Sequence, residues 1–204
     1  MIDLPGAVLY SSADTLVEGP VYLLGLNPGG GEGATLRDSL AASRRGHNSY
    51  LDESWAWRGH AQPVGQALLQ RRVQALCHRI GIETRKVPAS NLAFTRSTRI
   101  HTHSNFSSTV IACLPVHEIF VSTIKPKLLI TFGSIDNFGA AADIKSVQTT
   151  FARHDNWEAH RGFAQVFGRP MNFVNFPHLS VWGIESRMDV VDWALQITHK
   201  GDAE

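Results

Sequence analysis

Residues 20–31 read Pro-Val-Tyr-Leu-Leu-Gly-Leu-Asn-Pro-Gly-Gly-Gly, and this stretch decides the fold. Its first seven residues form a short, largely apolar run, and the remainder is a glycine-rich sequence that favours turns. Such a pattern predicts a strand buried on both faces that ends in a glycine-rich loop. Strands buried on both faces are typical of parallel sheets that are covered by helices.

Further strands and helices alternate along the rest of the chain. Apolar runs predict strands over residues 86–94, 127–133 and 171–176. Helical periodicity and stop signals predict helices over residues 66–80, from Pro115 to Pro126, after Ser134 as the N-cap, and over 186–198. The polar stretch from Glu32 to about Pro63 is predicted as a long loop. We therefore predict an α/β fold in three α/β/α layers, with a central, mainly parallel four-stranded sheet.

Composition predicts one ordinary globular domain covering residues 1–204, with 43% hydrophobic and 18% charged residues. No run of about 18 consecutive apolar residues is present, and the N-terminus has no secretory signal pattern. Cys77 and Cys113 form no C-x-x-C pair, so a disulfide framework or an iron–sulfur cluster is not expected. We expect a cytoplasmic monomer without a membrane partner.

The charge of the chain is distributed unevenly. Between Asn27 and His103 there are eleven Arg and Lys against five Asp and Glu, a net charge of +6. The remainder has eight basic and thirteen acidic residues, a net charge of −5. A basic half indicates a polyanion partner, although a solvated basic face explains the same count.

Polar or turn-forming residues stand at the ends of three predicted strands. The first strand is followed by residues 25–29, the second carries Ser90-Asn91-Leu92, and the fourth is followed by residues 177–180. In parallel α/β sheets, ligands bind outside the carboxyl ends of the strands. The three segments are therefore predicted to meet at one site.

In this order, the three segments resemble the motifs of the uracil-DNA glycosylase superfamily. Gly25-Leu26-Asn27-Pro28-Gly29 is similar to the Gly-x-Asn-Pro-Gly form of the first motif, found in mismatch-specific and single-strand-selective glycosylases. Pro177-His178-Leu179-Ser180 resembles the second motif, and Asn91 resembles the asparagine that reads the base edge. The strand at 128–133 and its following helix resemble the unit that precedes the second motif. The resemblance covers roughly residues 20–195.

This resemblance implies a uracil-DNA glycosylase-like domain and a monofunctional DNA glycosylase. Such an enzyme hydrolyses the N-glycosidic bond of a base flipped out of single- or double-stranded DNA. The expected base is uracil, mismatched thymine or a modified pyrimidine, removed in base excision repair or in defence against modified foreign DNA. Three alternatives stay open: a non-catalytic DNA-binding protein of the same fold, a nucleoside or nucleotide N-glycosidase, and a sheet-based interaction protein with no pocket chemistry.

The resemblance assigns catalytic roles to Asn27 and His178 and a base-reading role to Asn91. An asparagine amide can position water but is not a strong base, so Asn27 would orient the attacking water. His178 would donate a hydrogen bond to the pyrimidine O2 as charge builds on it. Leu179 stands where a proline is usual, and a shifted alignment would place Asn175 at the histidine position.

Further contacts are implied around the base and along the DNA. The base site would include Gly25, Leu26, Pro28, Gly29, Ser180 and Trp55, with Tyr50, Trp57 and Phe94 as other stacking candidates. DNA contacts would come from Gly30, Arg96, Arg99, Leu179 and Trp182, with Val181 also available to fill the gap that a flipped base leaves. Because residues 29–31 are glycines, a 5-substituted pyrimidine would find room there.

No cofactor and no metal is expected. His101, His103 and His117 have few acidic residues nearby in the sequence, so a metal site is not predicted. The glycine-rich loop lacks the Lys-Ser/Thr that a phosphate-binding loop needs, which argues against a nucleotide triphosphatase.

Overall fold

The computed structural model describes residues 2–30, 33–57, 59–98, 100–103, 105–139 and 141–196. At its centre, four strands run parallel to their neighbours: β1 (Val21–Gly25), β4 (Ala89–Asn91), β5 (Leu128–Phe132) and β8 (Arg169–Phe176). The strands β6 (Ala142–Phe151) and β7 (Glu158–Val166) form an antiparallel hairpin that continues the sheet beside β8. The order across the sheet is β4-β1-β5-β8-β7-β6. The fold is therefore α/β with a mainly parallel central sheet, but the sheet has six strands rather than the predicted four.

Side chains alternate between two apolar cores, one on each face of the sheet. Val21 and Leu23 of β1 pack into one core, and Tyr22 and Leu24 pack into the other. In a strand, successive side chains point to opposite faces, so an uninterrupted apolar run requires cover on both. This explains why residues 21–24 are all fully buried.

Helices supply that cover. The first core contains residues of α3 (Leu68–Arg79) and α6 (Met188–Leu195), which include Val73 and Val191. The second core contains residues of α1 (Leu36–Arg44), α4 (Phe106–Ile124) and α5 (Ile135–Gly139), including Phe138. The predicted N-cap of α5 is confirmed, because the backbone N–H of Asp136 donates to the Ser134 hydroxyl.

The helix α4 starts earlier than predicted, and Pro115 lies inside it rather than at its first turn. The buried side of α4 includes Val110, Cys113, Phe120, Val121 and Ile124. Ile119, although apolar, is 62% exposed. By length and composition α4 could cross a membrane, with a mean hydropathy of 1.4. A third of that apolar stretch is buried, and this buried face packs in the second core.

Two regions gave no clear sequence signal. The β6–β7 hairpin was not predicted, because most β6 residues are exposed and their alternation of apolar and polar residues is weak. The supposed loop before Pro63 contains α1, the short helix α2 (Ser49–Asp52) and a small hairpin of β2 (Ala56–Trp57) and β3 (His60–Ala61). Helix capping explains why this polar sequence folds. For example, the Thr35 side chain caps the N-terminus of α1.

Candidate functional site

The carboxyl ends of β4, β1, β5 and β8 lie side by side at one edge of the sheet. Asn91 ends β4, Asn27 follows β1, Gly133 follows β5 and His178 follows β8. Adjacent strands are about 4.8 Å apart, so β4 and β8 are separated by roughly 14 Å along this edge. The sequence-predicted polar segments therefore share one edge, in the order Asn91, Asn27, His178.

Asn27 is held by its amide nitrogen. Nδ2 donates to the carbonyl oxygen of Pro28 and to that of Ser97, both at 2.9 Å. Within the described part of the chain, no hydrogen bond is made to Asn27 Oδ1. A carbonyl-type oxygen fixed in this way is an acceptor that can hold a water molecule. The geometry fits a water-positioning role and leaves the amide donors unavailable to a ligand.

Asn91 is only 7% exposed, and its Nδ2 is buried without a hydrogen-bond partner in the described structure. A buried donor without a partner is destabilising by about 1–3 kcal/mol, which makes such groups rare outside functional sites. Its Oδ1 lies against Gly25, where an added Cβ would be only 2.2 Å away. Gly25 therefore has to be glycine for Asn91 to keep this position.

Tyr10 is a site residue that the sequence did not reveal. The bridge between Leu9 and Ser90 aligns the N-terminal segment antiparallel to β4, and the Tyr10 N–H donates to Ala89. This register puts Tyr10 on the same face as Asn91. Burial raises the pKa of Tyr10 to about 12, while the nearby Arg96 and, to a smaller extent, the Asn91 amide beside the hydroxyl lower it. No motif marked this residue, because its position depends on pairing with β4.

Aromatic rings gather next to Tyr10. The rings of Tyr10, Tyr50 and Trp55 lie within 5.5–5.9 Å of one another in tilted or edge-on arrangements. Trp55 is half-buried, and its indole N–H donates to the Glu53 carboxylate. Phe94 is buried in the second core, so it is not available as a stacking surface. Trp55 and Tyr10 are the cluster members nearest to solvent among the described residues.

Arg96 folds over the glycine-rich loop instead of extending into solvent. Its Nη1 donates to the Gly29 carbonyl, and its guanidinium lies 3.3–3.5 Å from the Cβ position of Gly33. Its Nε is buried without a partner in the described structure. Arg96 thus fixes the loop, and phosphate contact by it stays a prediction. Arg99 lies outside the described residues.

His178 has its tautomer set by the local chain. The backbone N–H of Ser180 donates to His178 Nδ1 at 3.2 Å, and the Ser180 hydroxyl is 2.7 Å from the same atom. Nδ1 is therefore an acceptor, so the proton lies on Nε2. Burial lowers the pKa of His178 below its ordinary value, which keeps the ring neutral at pH 7. A neutral imidazole whose Nε2–H makes no hydrogen bond to a described residue is the donor that the site would need.

Two residues that follow His178 were predicted to contact DNA, and the structure places both elsewhere. Leu179 and Trp182 are both 0% exposed and belong to the first core. The Trp182 indole N–H donates to the Ala152 carbonyl, which holds the ring inside. Neither side chain can enter DNA without breaking that core. Val181 is 54% exposed and is the only one of the three candidates that projects from the surface.

A cavity of about 520 Å³ opens beside His178. It is lined by the ends of β5 and β8 and by the start of β7, and its lining includes Gly133, Asp136, Glu158 and His160. Asn27 and Asn91 lie on the other side of Gly133, where Leu26 comes within 2.5 Å of the glycine's Cβ position. The edge is thus closely packed at β4 and β1 and open at β8.

Other residues considered from the sequence have structural roles. Asn175, the alternative to His178, is buried, and its Nδ2 donates to the Thr131 hydroxyl. His117 accepts from the Tyr22 hydroxyl and donates to the Leu92 carbonyl, and burial lowers its pKa to about 4. No group of three or more potential metal ligands occurs among the residues that the structure describes.

The basic half of the chain is partly neutralised by ion pairs. Within it, Arg37, Arg72 and Arg79 pair with carboxylates from elsewhere in the chain, at distances of 2.6–3.2 Å. Arg85 and Lys86 pair with carboxylates of the same half. The net charge of that segment therefore overstates the positive surface open to a polyanion.

Neither a protein-family model nor a curated protein matches the chain. Function therefore has to be inferred from the geometry of this edge of the sheet.

Proposed function

We propose that the protein is a monofunctional DNA N-glycosylase with a uracil-DNA glycosylase-like arrangement of four parallel strands, to which the β6–β7 hairpin is added. The resemblance of residues 25–29 and 177–180 to the motifs of that superfamily supports this proposal. So does the position of β1, β4 and β8 in one sheet, with their carboxyl ends at the same edge. The single observation that carries most weight is the buried, unpartnered Nδ2 of Asn91, because a bound pyrimidine carbonyl would satisfy it.

The reaction assigned to this edge is hydrolysis of the bond between C1′ of deoxyribose and N1 of the base. As the bond breaks, the base leaves with the electron pair and its O2 gains negative charge. His178 Nε2–H donates to that oxygen and remains neutral, while Asn27 Oδ1 holds the water that adds to C1′. The water's hydroxyl stays on the sugar and its second proton goes to the departing base, so the products are an abasic site and the free base.

Asn91 selects the base in this proposal. With its Oδ1 directed toward Gly25, the amide presents Nδ2 as a donor. Uracil and thymine offer an acceptor at O4, whereas cytosine has an amino group there. The orientation therefore favours uracil-like bases.

Both cysteines are buried, free thiols, which fits the proposed location in a reducing cytoplasm.

Release of the free base from oligonucleotides tests the proposal. Single- and double-stranded substrates would carry uracil, mismatched thymine, hypoxanthine or 5-modified cytosine at one position. Asn27→Ala is expected to lower the rate by about a hundredfold, because misplaced water loses the advantage of orientation. Asn172→Ala, at the opposite end of β8, is the matched control.

Two outcomes would contradict the proposal. If no base is released from any substrate while the protein still binds DNA, excision of these bases is rejected, and either a rarer modified base or the non-catalytic alternative takes its place. If mononucleotides are cleaved as fast as oligonucleotides, the enzyme is a nucleotide N-glycosidase instead.

A further inference from the structure

The outward face of α4 is poor in charge for a long helix at the surface. Ile111 and Ile119 are 66% and 62% exposed, more than any other large apolar side chain among the described residues. Glu118 is the only aspartate, glutamate, lysine or arginine in the helix. The outer face of a surface helix normally carries charged and polar side chains. An exposed apolar face of this kind indicates contact with another molecule.

The exposed residues of α4 are arranged symmetrically about Pro115. They lie three, four, seven and eight residues before it and at the same spacings after it. They are Ser107, Ser108, Ile111, Ala112, Pro115, Glu118, Ile119, Ser122 and Thr123. An antiparallel copy of the helix centred on Pro115 would therefore bring Ile111 of one chain against Ile119 of the other. Each contact would occur twice, as a two-fold interface requires.

The shape of this face allows a second helix to approach closely. Residues at intervals of four form the ridge that packs into the groove of a neighbouring helix. On α4 this ridge carries Ile111 and Ile119 on either side of the short Pro115 ring. The row beside it contains the small residues Ser108 and Ala112, so there is room next to the ridge for the isoleucines of a second copy.

Two hydroxyls on this face already have hydrogen-bond partners within the helix. Ser122 and Thr123 both donate to the Ile119 carbonyl at 2.8 Å. A hydroxyl that keeps its partner is less costly to remove from water than one that loses it. The C-terminal half of the face can therefore be covered without leaving these donors unpaired.

Charge favours an antiparallel second copy over other occupants. In a parallel pair the two Glu118 carboxylates would face each other and repel. In the antiparallel pair each faces Ala112 of the other copy, and the two carboxylates are about 9 Å apart along the helix axis. The helix carries no lysine or arginine with which to attract an acidic partner or anionic lipid headgroups.

We propose that α4 forms the two-fold interface of a homodimer, with the two helices antiparallel and Pro115 at the axis. The inference goes beyond the proposed glycosylase function and departs from the monomer expected from the sequence. Because α4 connects the parallel strands β4 and β5, it runs back from their carboxyl ends. The two candidate sites of the dimer therefore point away from each other.

Sedimentation velocity of the full chain without DNA, from about 1 to 500 μM, tests this inference. The contact strip is about 24 Å long and about 10 Å wide, small for a protein interface, so we expect a dissociation constant on the order of 10–100 μM. Ile111→Lys should raise it by about tenfold or more, because each dimer would bury two unpaired ammonium groups. Val64→Lys, at a residue that is 56% exposed in the segment before α3, is the matched control and should leave it unchanged.

A charge-pair variant tests the two-fold arrangement itself. In Ile111→Lys/Ile119→Glu, each new ammonium would face a new carboxylate of the other copy. Within one helix the two positions are about 12 Å apart, too far to pair with each other. We therefore expect the double variant to associate about threefold or more tightly than either single variant. Ile111→Lys/Ile119→Lys, which brings like charges together, should show no such recovery.

The outcomes separate a second copy from the other occupants. A monomer at every concentration would overturn the inference, and so would a charge-pair variant that associates no more tightly than the single variants. If a monomeric protein binds vesicles of phosphatidylcholine and phosphatidylglycerol, and Ile111→Lys abolishes that binding, the face contacts a membrane instead. Self-association is measured without DNA, so its result does not depend on whether base release is observed.

Discussion

The two ends of the candidate site differ in how tightly they are built. At β4 and β1, Gly25 leaves just enough space for the Asn91 amide, and Gly133 does the same for Leu26. At β8, by contrast, the edge opens into a cavity of about 520 Å³ bounded by the β6–β7 hairpin. Close packing fixes the orientation of a side chain, whereas an open cavity allows ligands of different size. The first end is suited to reading a base edge, and the second leaves room for a ligand.

The largest effect is expected from Gly25→Ala at the tightly packed end. The new Cβ would lie 2.2 Å from Asn91 Oδ1. The amide therefore has to move far enough to lose its hydrogen-bonding position. A displacement of about 1 Å in a reacting site lowers rates by roughly a hundredfold. Base release measures this. Gly139→Ala, with no atom within 4 Å of its Cβ position, is the control, and equal activity of both variants would refute the packing argument.

An effect of about the same size is expected from His178→Ala at the open end. Loss of a hydrogen-bond donor to a developing anion lowers kcat by about a hundredfold. His78→Ala, an exposed histidine on α3, is the matched control. A comparable loss in both variants would show that His178 has no special role.

The pH profile of the unaltered protein sharpens the assignment of His178. Because burial lowers its pKa, the neutral, active form persists below the ordinary histidine pKa of about 6.5. Protonation at Nδ1 would also break the hydrogen bond from the Ser180 N–H. We expect the acid limb of kcat/KM to have its midpoint below about pH 6.5. A rate that rises as the pH falls through this range would instead indicate a protonated histidine as general acid.

A smaller effect is expected from Tyr10→Phe, which keeps the ring in the aromatic cluster and removes the hydroxyl beside Asn91. Without that hydroxyl the Asn91 amide can turn over, so discrimination between uracil and cytosine should fall by about fivefold to tenfold. Competition between the two bases in one oligonucleotide measures this. Tyr50→Phe, in the same cluster, is the control, and unchanged discrimination in Tyr10→Phe would remove Tyr10 from the site.

The smallest effect concerns stability in acid. His117 donates to the Leu92 carbonyl next to Asn91, and burial lowers its pKa to about 4. The unfolded chain binds this proton below about pH 6.5 and the folded chain only near pH 4, so stability falls as the pH drops through that window. In His117→Gln, the slope of the unfolding free energy should decrease by up to about 1.4 kcal/mol per pH unit. An unchanged slope would contradict the conclusion that His117 is buried and neutral.

The sequence predicted those elements whose signal is local. The apolar run of β1, the strand at β5 with its Ser134 cap, and the helix α3 all follow from periodicity and capping. The hairpin could not be predicted in the same way, because an exposed edge strand has no apolar face to reveal it. Pro115 was misplaced for a related reason: helix starts favour proline, but packing of α4 on the sheet outweighs its missing N–H.

By itself, the sequence determined that the chain forms an α/β fold and that Asn27, Asn91 and His178 stand at strand ends, since strand ends are marked by local composition. Only the tertiary structure decided what surrounds them. Burial of Leu179 and Trp182, the approach of Tyr10 to Asn91 and the acidic cavity all arise between residues far apart in the chain. Local patterns cannot encode these contacts, because they depend on which strands become neighbours and on how closely their side chains pack.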